Sequence, residues 1–387
     1  MRRQIVLFPL VSLMTASALA PPIASAQVQH VVPGWGVDTT GVMSAWSEVS
    51  RVEDVRAIYR RWVDYLTSNP RQFDPTELWA AEDQRRWPAF DLSASVAYQG
   101  QAATVLEITP AGVGVTDRYV IKTLFAGNAD ASSGLRPSAI NRVFAVRSRS
   151  GWVFTNVIAD ATISWRRETI GPITYVIAPG YRFDRDRASE AVAFIDSLAT
   201  AFQVPPAEDV TYYLGAGREE IQRIMGIEWT VGGPGVGYAS RANRMVFSGD
   251  PGVGENYRHE LVHYMLQPLH QRGTHPLVGE GVATWLGGSM GRDFGTLAAE
   301  YAAYLSAHPQ VTLDAVVDAD GPDLGSRPGG AILVLLVFES GGVPAVRDLL
   351  NTGRSSSDLR AAVPRITGMA WEDFARRWRE RVVQVGR

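Results

Sequence analysis

His259-Glu260-Leu261-Val262-His263 sets two imidazoles four residues apart with a carboxylate between them. Residues four apart lie one above the other on a helix, so both rings reach a single point only if this segment is helical. Seventeen residues after His263, Glu280 opens the stretch Glu280-Gly281-Val282-Ala283-Thr284-Trp285. For its carboxylate to join the two rings, a following helix must turn back and pack beside the first. A chain bound by both needs must bring two helices together around one polar point.

The residue types at that point suggest the chemistry. His259, His263 and Glu280 are three candidate metal ligands, and Glu260 is a candidate general base. A catalytic zinc ion takes three protein ligands and keeps a fourth position for water, whose pKa falls to about 7. A neighbouring carboxylate can take a proton from that water as it attacks a carbonyl, which is the chemistry of amide hydrolysis. The expected cofactor is therefore Zn2+, one per chain. With only six histidines present, chance would produce the motif on the order of 0.005 times in this length. The alternative is a helix carrying two surface histidines, but Leu261, Val262 and Met265 suit a half-buried helix whose polar edge is the His-Glu-His set.

Other third ligands fit less well. A histidine six residues beyond His263 would extend the pattern, but that place is Leu269, with Leu266 where a glycine would stand. His270 is one residue out of register. His275 precedes Pro276 and reads as a turn residue. Glu280, just after Gly279, has a second reading as a carboxylate favoured by a helix N-terminus.

The two motifs together resemble the gluzincin metallopeptidases, with the Glu-Gly-x-Ala-Thr-aromatic stretch closest to the aminopeptidase-N-like catalytic domain and its peptidase MA-like bacterial relatives. The resemblance covers about residues 165–385 and is strongest at the motifs themselves. It implies zinc bound by His259, His263 and Glu280, with Glu260 as general base and proton shuttle. It also implies a thermolysin-like zincin domain with a mixed-sheet upper half and a helical lower half. Two features depart from aminopeptidase N: the gap between His263 and Glu280 is shorter, and Gly279 replaces the Asn that precedes the ligand. Aminopeptidase specificity is therefore not implied.

Gluzincins place an edge strand above the metal, where its free backbone groups pair with an extended peptide. Here a glycine-rich turn, Val231-Gly232-Gly233-Pro234-Gly235-Val236-Gly237-Tyr238, leads into the strand-like run 244–248. That run is the expected edge strand, with an ordinary hairpin beside a loop as the alternative. The family's Tyr or His donor to the developing oxyanion has no obvious counterpart at Ser326-Arg327-Pro328-Gly329-Gly330. Tyr264, Tyr301, Tyr304 and Arg327 are candidates among which the sequence does not choose. Thr284, one turn after Glu280, could hydrogen-bond the site or its own helix backbone.

Residues 1–26 read as a secretory signal: Arg2 and Arg3, an apolar core from Ile5 to Met14, then Ala24-Ser25-Ala26 before Gln27. The product is expected to be exported, to a periplasm or beyond the cell. No later apolar run reaches the roughly 18 residues of a membrane span. The chain has no cysteine, which excludes disulfides and thiolate zinc sites. Loss of Arg2 and Arg3 takes the formal charge from -3 to about -5, so no basic field for nucleic acid is expected. Lys122 is the only lysine.

About 360 mature residues suit two domains. A linker over 27–43 is expected to lead into an accessory domain over 44–164, with a helix over 52–66 and antiparallel strands near 103–108, 118–125, 143–146 and 152–157. Residues 129–138 read as a loop. From 165 to 387 the pattern is a strand at 173–177, a helix at 187–202, a strand at 210–214, and helices at 297–307, 331–340, 343–350 and 371–383. The fold class is α+β. The leading expectation is a secreted zinc metallopeptidase acting on peptide or protein substrates. The alternatives are a catalytically weak or inactive binding or envelope protein that keeps the zinc site, and a zinc hydrolase of some other amide. An intact Glu260 favours catalysis; the missing Tyr or His favours the binding protein.

Overall fold

The computed structural model describes residues 52–67, 75–84, 102–128, 135–231, 237–241, 243–319 and 327–385, so the signal over 1–26 and the linker over 27–43 lie outside the described residues. Val55, Ile58, Trp62 and Tyr65 recur three and four residues apart, and the helix they predict forms as α1 (Glu53–Thr67), with Glu53 and Asp54 at its dipole-positive start. All four side chains are buried. They pack on an antiparallel sheet of β1 (Ala102–Pro110), β2 (Arg118–Asn128), β3 (Leu135–Ser148) and β4 (Gly151–Thr155), arranged in chain order. Trp62 meets the Phe154 ring edge-on at 4.9 Å and donates from Nε1 to Thr123 Oγ1 at 2.9 Å. The indole is thus both packed and satisfied. Register shifts at Val105/Glu107 and Phe125/Ala126 mark irregularities of the kind that bend a sheet.

One local expectation is corrected here. The loop expected over 129–138 gives way to strand at Leu135, because β2 is long enough to offer a ladder partner up to Asn128. Pro137, a loop signal in the sequence, sits opposite Ala126 at the register shift, where a strand tolerates a missing N–H.

The second sheet begins with a hairpin of β5 (Arg166–Ile170) and β6 (Ile173–Ile177). The Asp184 side chain then caps α2 (Arg185–Phe202) by accepting from the backbone N–H groups of Asp186 and Arg187. This helix is the crossover that lets β7 (Val210–Leu214) lie parallel to β6. After α3 (Arg218–Ile224), β8 (Ile227–Thr230) pairs antiparallel with β3, setting Thr230 opposite Ala139. A strand from beyond residue 164 therefore completes the N-terminal sheet. The chain returns through β9 (Gly237–Ser240) and β10 (Met245–Ser248), giving the order β5-β6-β7-β10-β9.

That order corrects the expected edge strand. β10 lies between β7, to which it is parallel, and β9, to which it is antiparallel, so its backbone is engaged on both sides. The edge is β9. All four residues of β10 are buried, the mark of an inner strand covered on both faces.

The remainder of the described chain is chiefly helical: α4 (Arg258–Leu266), α5 (Pro276–Gly287), α6 (Phe294–Ala307), α7 (Leu313–Val317), α8 (Arg327–Leu350), α9 (Ser356–Thr367) and α10 (Trp371–Val385). The two helices expected at 331–340 and 343–350 are the halves of α8, broken where Gly342 takes φ 65°. Taken whole, α8 is long and apolar enough to cross a membrane. Its Ile332, Leu333, Val334 and Val337 are nevertheless buried in the core shared with α2, α4 and α5. α9 is an element that the hydrophobic pattern hides. Its signal is the Ser355/Asp358 capping box, and Pro364 inside the helix masks it. The architecture as a whole is α+β.

Candidate metal centre

α4 presents His259, Glu260 and His263 because Leu261, Val262 and Met265 anchor its other side in the core. α5 returns Glu280 to the same point. Nε2 of His263 lies 3.2 Å from Nε2 of His259, Glu280 Oε2 lies 3.3 Å from His259 Nε2, and Glu280 Oε1 lies 3.4 Å from His263 Nε2. Four-coordinate geometry with bonds of about 2.0–2.1 Å puts neighbouring ligand atoms about 3.3–3.4 Å apart. The three side chains are therefore spaced to hold a metal ion.

The hydrogen bonding of His259 suits the same role. Its Nδ1 lies 2.7 Å from the Gly288 carbonyl oxygen. A carbonyl only accepts, so Nδ1 is the donor there, and Nε2 is the nitrogen turned toward His263 and Glu280. Two glycines make this possible. A Cβ at Gly287 would stand 2.5 Å from the His259 backbone nitrogen, and one at Gly288, where φ is +72°, would stand 2.1 Å from the Arg292 carbonyl oxygen. Gly288 belongs to the site through its backbone alone, and the available sequence signal was the glycine pair after the apolar run of α5. Gly281 has a related task. A Cβ there would come within 2.5 Å of the Gly330 carbonyl carbon, so α5 and α8 cross at backbone contact one residue from Glu280.

Electrostatics keep Glu280 ionised. Burial pushes its carboxyl up, but the histidine hydrogen bonds and the Arg327 charge together hold it well below the usual carboxylate range. Glu260 goes the other way: burial raises it, and the neighbouring histidine charges only partly offset that rise.

Glu260 faces a cleft of about 370 Å³ walled by Gly237, Tyr238 and Ala239 of β9, by the three candidate ligands, and by Gln267, His270 and Arg327. A Cβ on Gly237 would lie 2.3 Å from Tyr257 Cε1 and 2.8 Å from Glu260 Cγ. Only glycine lets the edge strand lie against that carboxylate. Arg327 comes from the first turn of α8, with Nε 2.9 Å from Glu280 Oε2 though without hydrogen-bond alignment, and Nη1 3.4 Å from Ser289 Oγ.

The other residues singled out by sequence lie elsewhere. Tyr264 is buried with the Arg241 guanidinium 5.4 Å over its ring, Tyr301 packs on Trp378, and Tyr304 stacks on His308. None of the three walls the cleft. His275 caps α5, its Nδ1 accepting from the Leu277 N–H at 3.3 Å. The Thr284 hydroxyl is buried without a partner among the described residues, so it supports no ligand. Neither a family model nor a curated protein matches this chain.

Proposed function

We propose that the chain is an exported zinc metallopeptidase of gluzincin type, hydrolysing peptide bonds with Glu260 as general base. The observation that carries this reading is the equal spacing of His259, His263 and Glu280 at 3.2–3.4 Å beside a carboxylate, Glu260, in the same cleft. Two imidazoles and a carboxylate suit zinc, and a fully structural site would have no need of a base at Glu260. The mixed sheet above α4 and the helices beyond it support a zincin arrangement. When bound, zinc supplies Lewis acidity, lowering the pKa of water to about 7 and polarising the scissile carbonyl. Glu260, raised by burial, takes a proton from water and passes it to the departing amine. Arg327 offers the positive charge that a developing oxyanion requires. Among the described residues β9 has no partner on its outer side, where an extended peptide adds as a further strand.

Metal analysis followed by digestion of a mixed peptide library tests this reading. One zinc per chain with cleavage is the expected result. Zinc without cleavage would transfer support to a binding protein that retains the site, and absence of zinc would remove both readings.

The role of β9 has its own test. Successive residues of a strand direct their N–H groups to opposite edges, so of Tyr238→Pro and Ala239→Pro, one breaks the β10 ladder and the other the outer edge. The variant that keeps the wild-type Tm is expected to lose about tenfold in kcat/KM. Full activity in that variant would release β9 from substrate binding.

A further inference from the structure

His270 follows α4 through a single 3-10 turn, Gln267–Leu269. Its backbone is held on both sides, its N–H bonding the Gln267 carbonyl and its own carbonyl accepting from Gly273 N–H, each at 3.0 Å. The ring stands in the wall of the metal cleft with Glu260, His263, Glu280 and Arg327. It is outside the group of ligand atoms that could share an ion, which comprises His259, His263 and Glu280 alone among the described residues. Its Nε2 is buried and has no hydrogen-bond partner among the described residues.

A buried imidazole nitrogen without a partner is costly to maintain unless something that enters the site satisfies it. Burial, reinforced by the positive charges of His263 and Arg354, pushes the imidazole down to about 4. The ring is therefore neutral near pH 7, and it adds no charge beside the ion site. A neutral imidazole on a fixed backbone is suited to hydrogen-bonding an uncharged polar group, and a peptide in extended form presents such groups along its whole length.

We propose that His270 hydrogen-bonds, through Nε2, a main-chain amide group of peptide bound in the metal cleft, an inference that rests on the peptidase reading. His270 is then a substrate-contacting residue that sets affinity and leaves the metal untouched.

Calorimetry on the zinc-loaded full chain with two probes tests the assignment. Acetohydroxamate engages a metal and carries no peptide backbone; a phosphinic tetra-alanine pseudopeptide has both a metal-binding group and flanking amides. His270→Ala is expected to bind acetohydroxamate as wild type does and the pseudopeptide about tenfold more weakly, with zinc content unchanged. His270→Gln, which restores a hydrogen-bonding end in similar volume, should recover part of the loss and serves as the informative variant if the alanine protein does not fold. Equal weakening of both probes, loss of zinc, or no change in pseudopeptide affinity would each overturn the proposal. If wild type binds the pseudopeptide in a His270-dependent way and cleaves no peptide, the contact stands and the catalytic reading falls. If wild type binds acetohydroxamate and not the pseudopeptide, both fall.

Discussion

Glu260→Gln is expected to lower kcat for peptide cleavage by about two to four orders of magnitude, the span associated with removing a positioned acid-base group. Gln has nearly the shape of Glu, so it fits the same space against Gly237 and Tyr257. What it loses is the capacity to take a proton. KM and zinc content should hardly move, because Glu260 is not among the three side chains whose ligand atoms converge. Parallel measurements of zinc content and single-turnover cleavage separate the outcomes. An unchanged rate would mean that water is not activated at this carboxylate, and departure of the zinc would place Glu260 among the ligands.

Glu280→Ala should have the largest effect on metal retention. Loss of a residue that only orients a ligand typically costs 10–100-fold in affinity, and removal of the ligand itself should exceed that. The surroundings add to the loss. Arg327 lies 2.9 Å from Glu280 Oε2, so without the carboxylate a guanidinium faces a dication with no negative charge between them. Chelator competition, read as the free-zinc concentration at half occupancy, measures the change. Retention within tenfold of wild type would take Glu280 out of the coordination sphere.

Legibility in the sequence followed the range of the interactions. His259 and His263 could be paired from sequence because the i, i+4 rule is local to one helix. α1 was equally plain, its apolar stripe being complete within fifteen residues. Of the run 244–248 expected as an edge strand, 245–248 form a strand and Arg244 is a turn residue with φ 55°, and the strand lies inside the sheet, since lateral order depends on partners distant in the chain. The consecutive apolar residues Met245, Val246 and Phe247 are the sequence mark of a strand covered on both faces; β9, reading Gly-Tyr-Ala-Ser, has little β-branched character to announce it. Arg327 appeared only as one name among several possible oxyanion donors. Its distance to Glu280 arises where α8 crosses α5 at Gly281 and Gly330, and no spacing rule reports a contact across 47 positions. Gly288 was harder still, because its contribution is a carbonyl, and every residue has one.

β8 binds the N-terminal and C-terminal parts of the chain to each other. Its ladder with β3 is extended by the Arg142 N–H bonding Gly226 O at 2.7 Å and the Val231 N–H bonding Ser138 O at 2.9 Å. Deleting everything before residue 165 would strip this strand of its partner, and deleting the chain from 165 onward would bare the flank of β3; either leaves a sticky margin open to aggregation. Cutting the chain at that border is thereby penalised on either side.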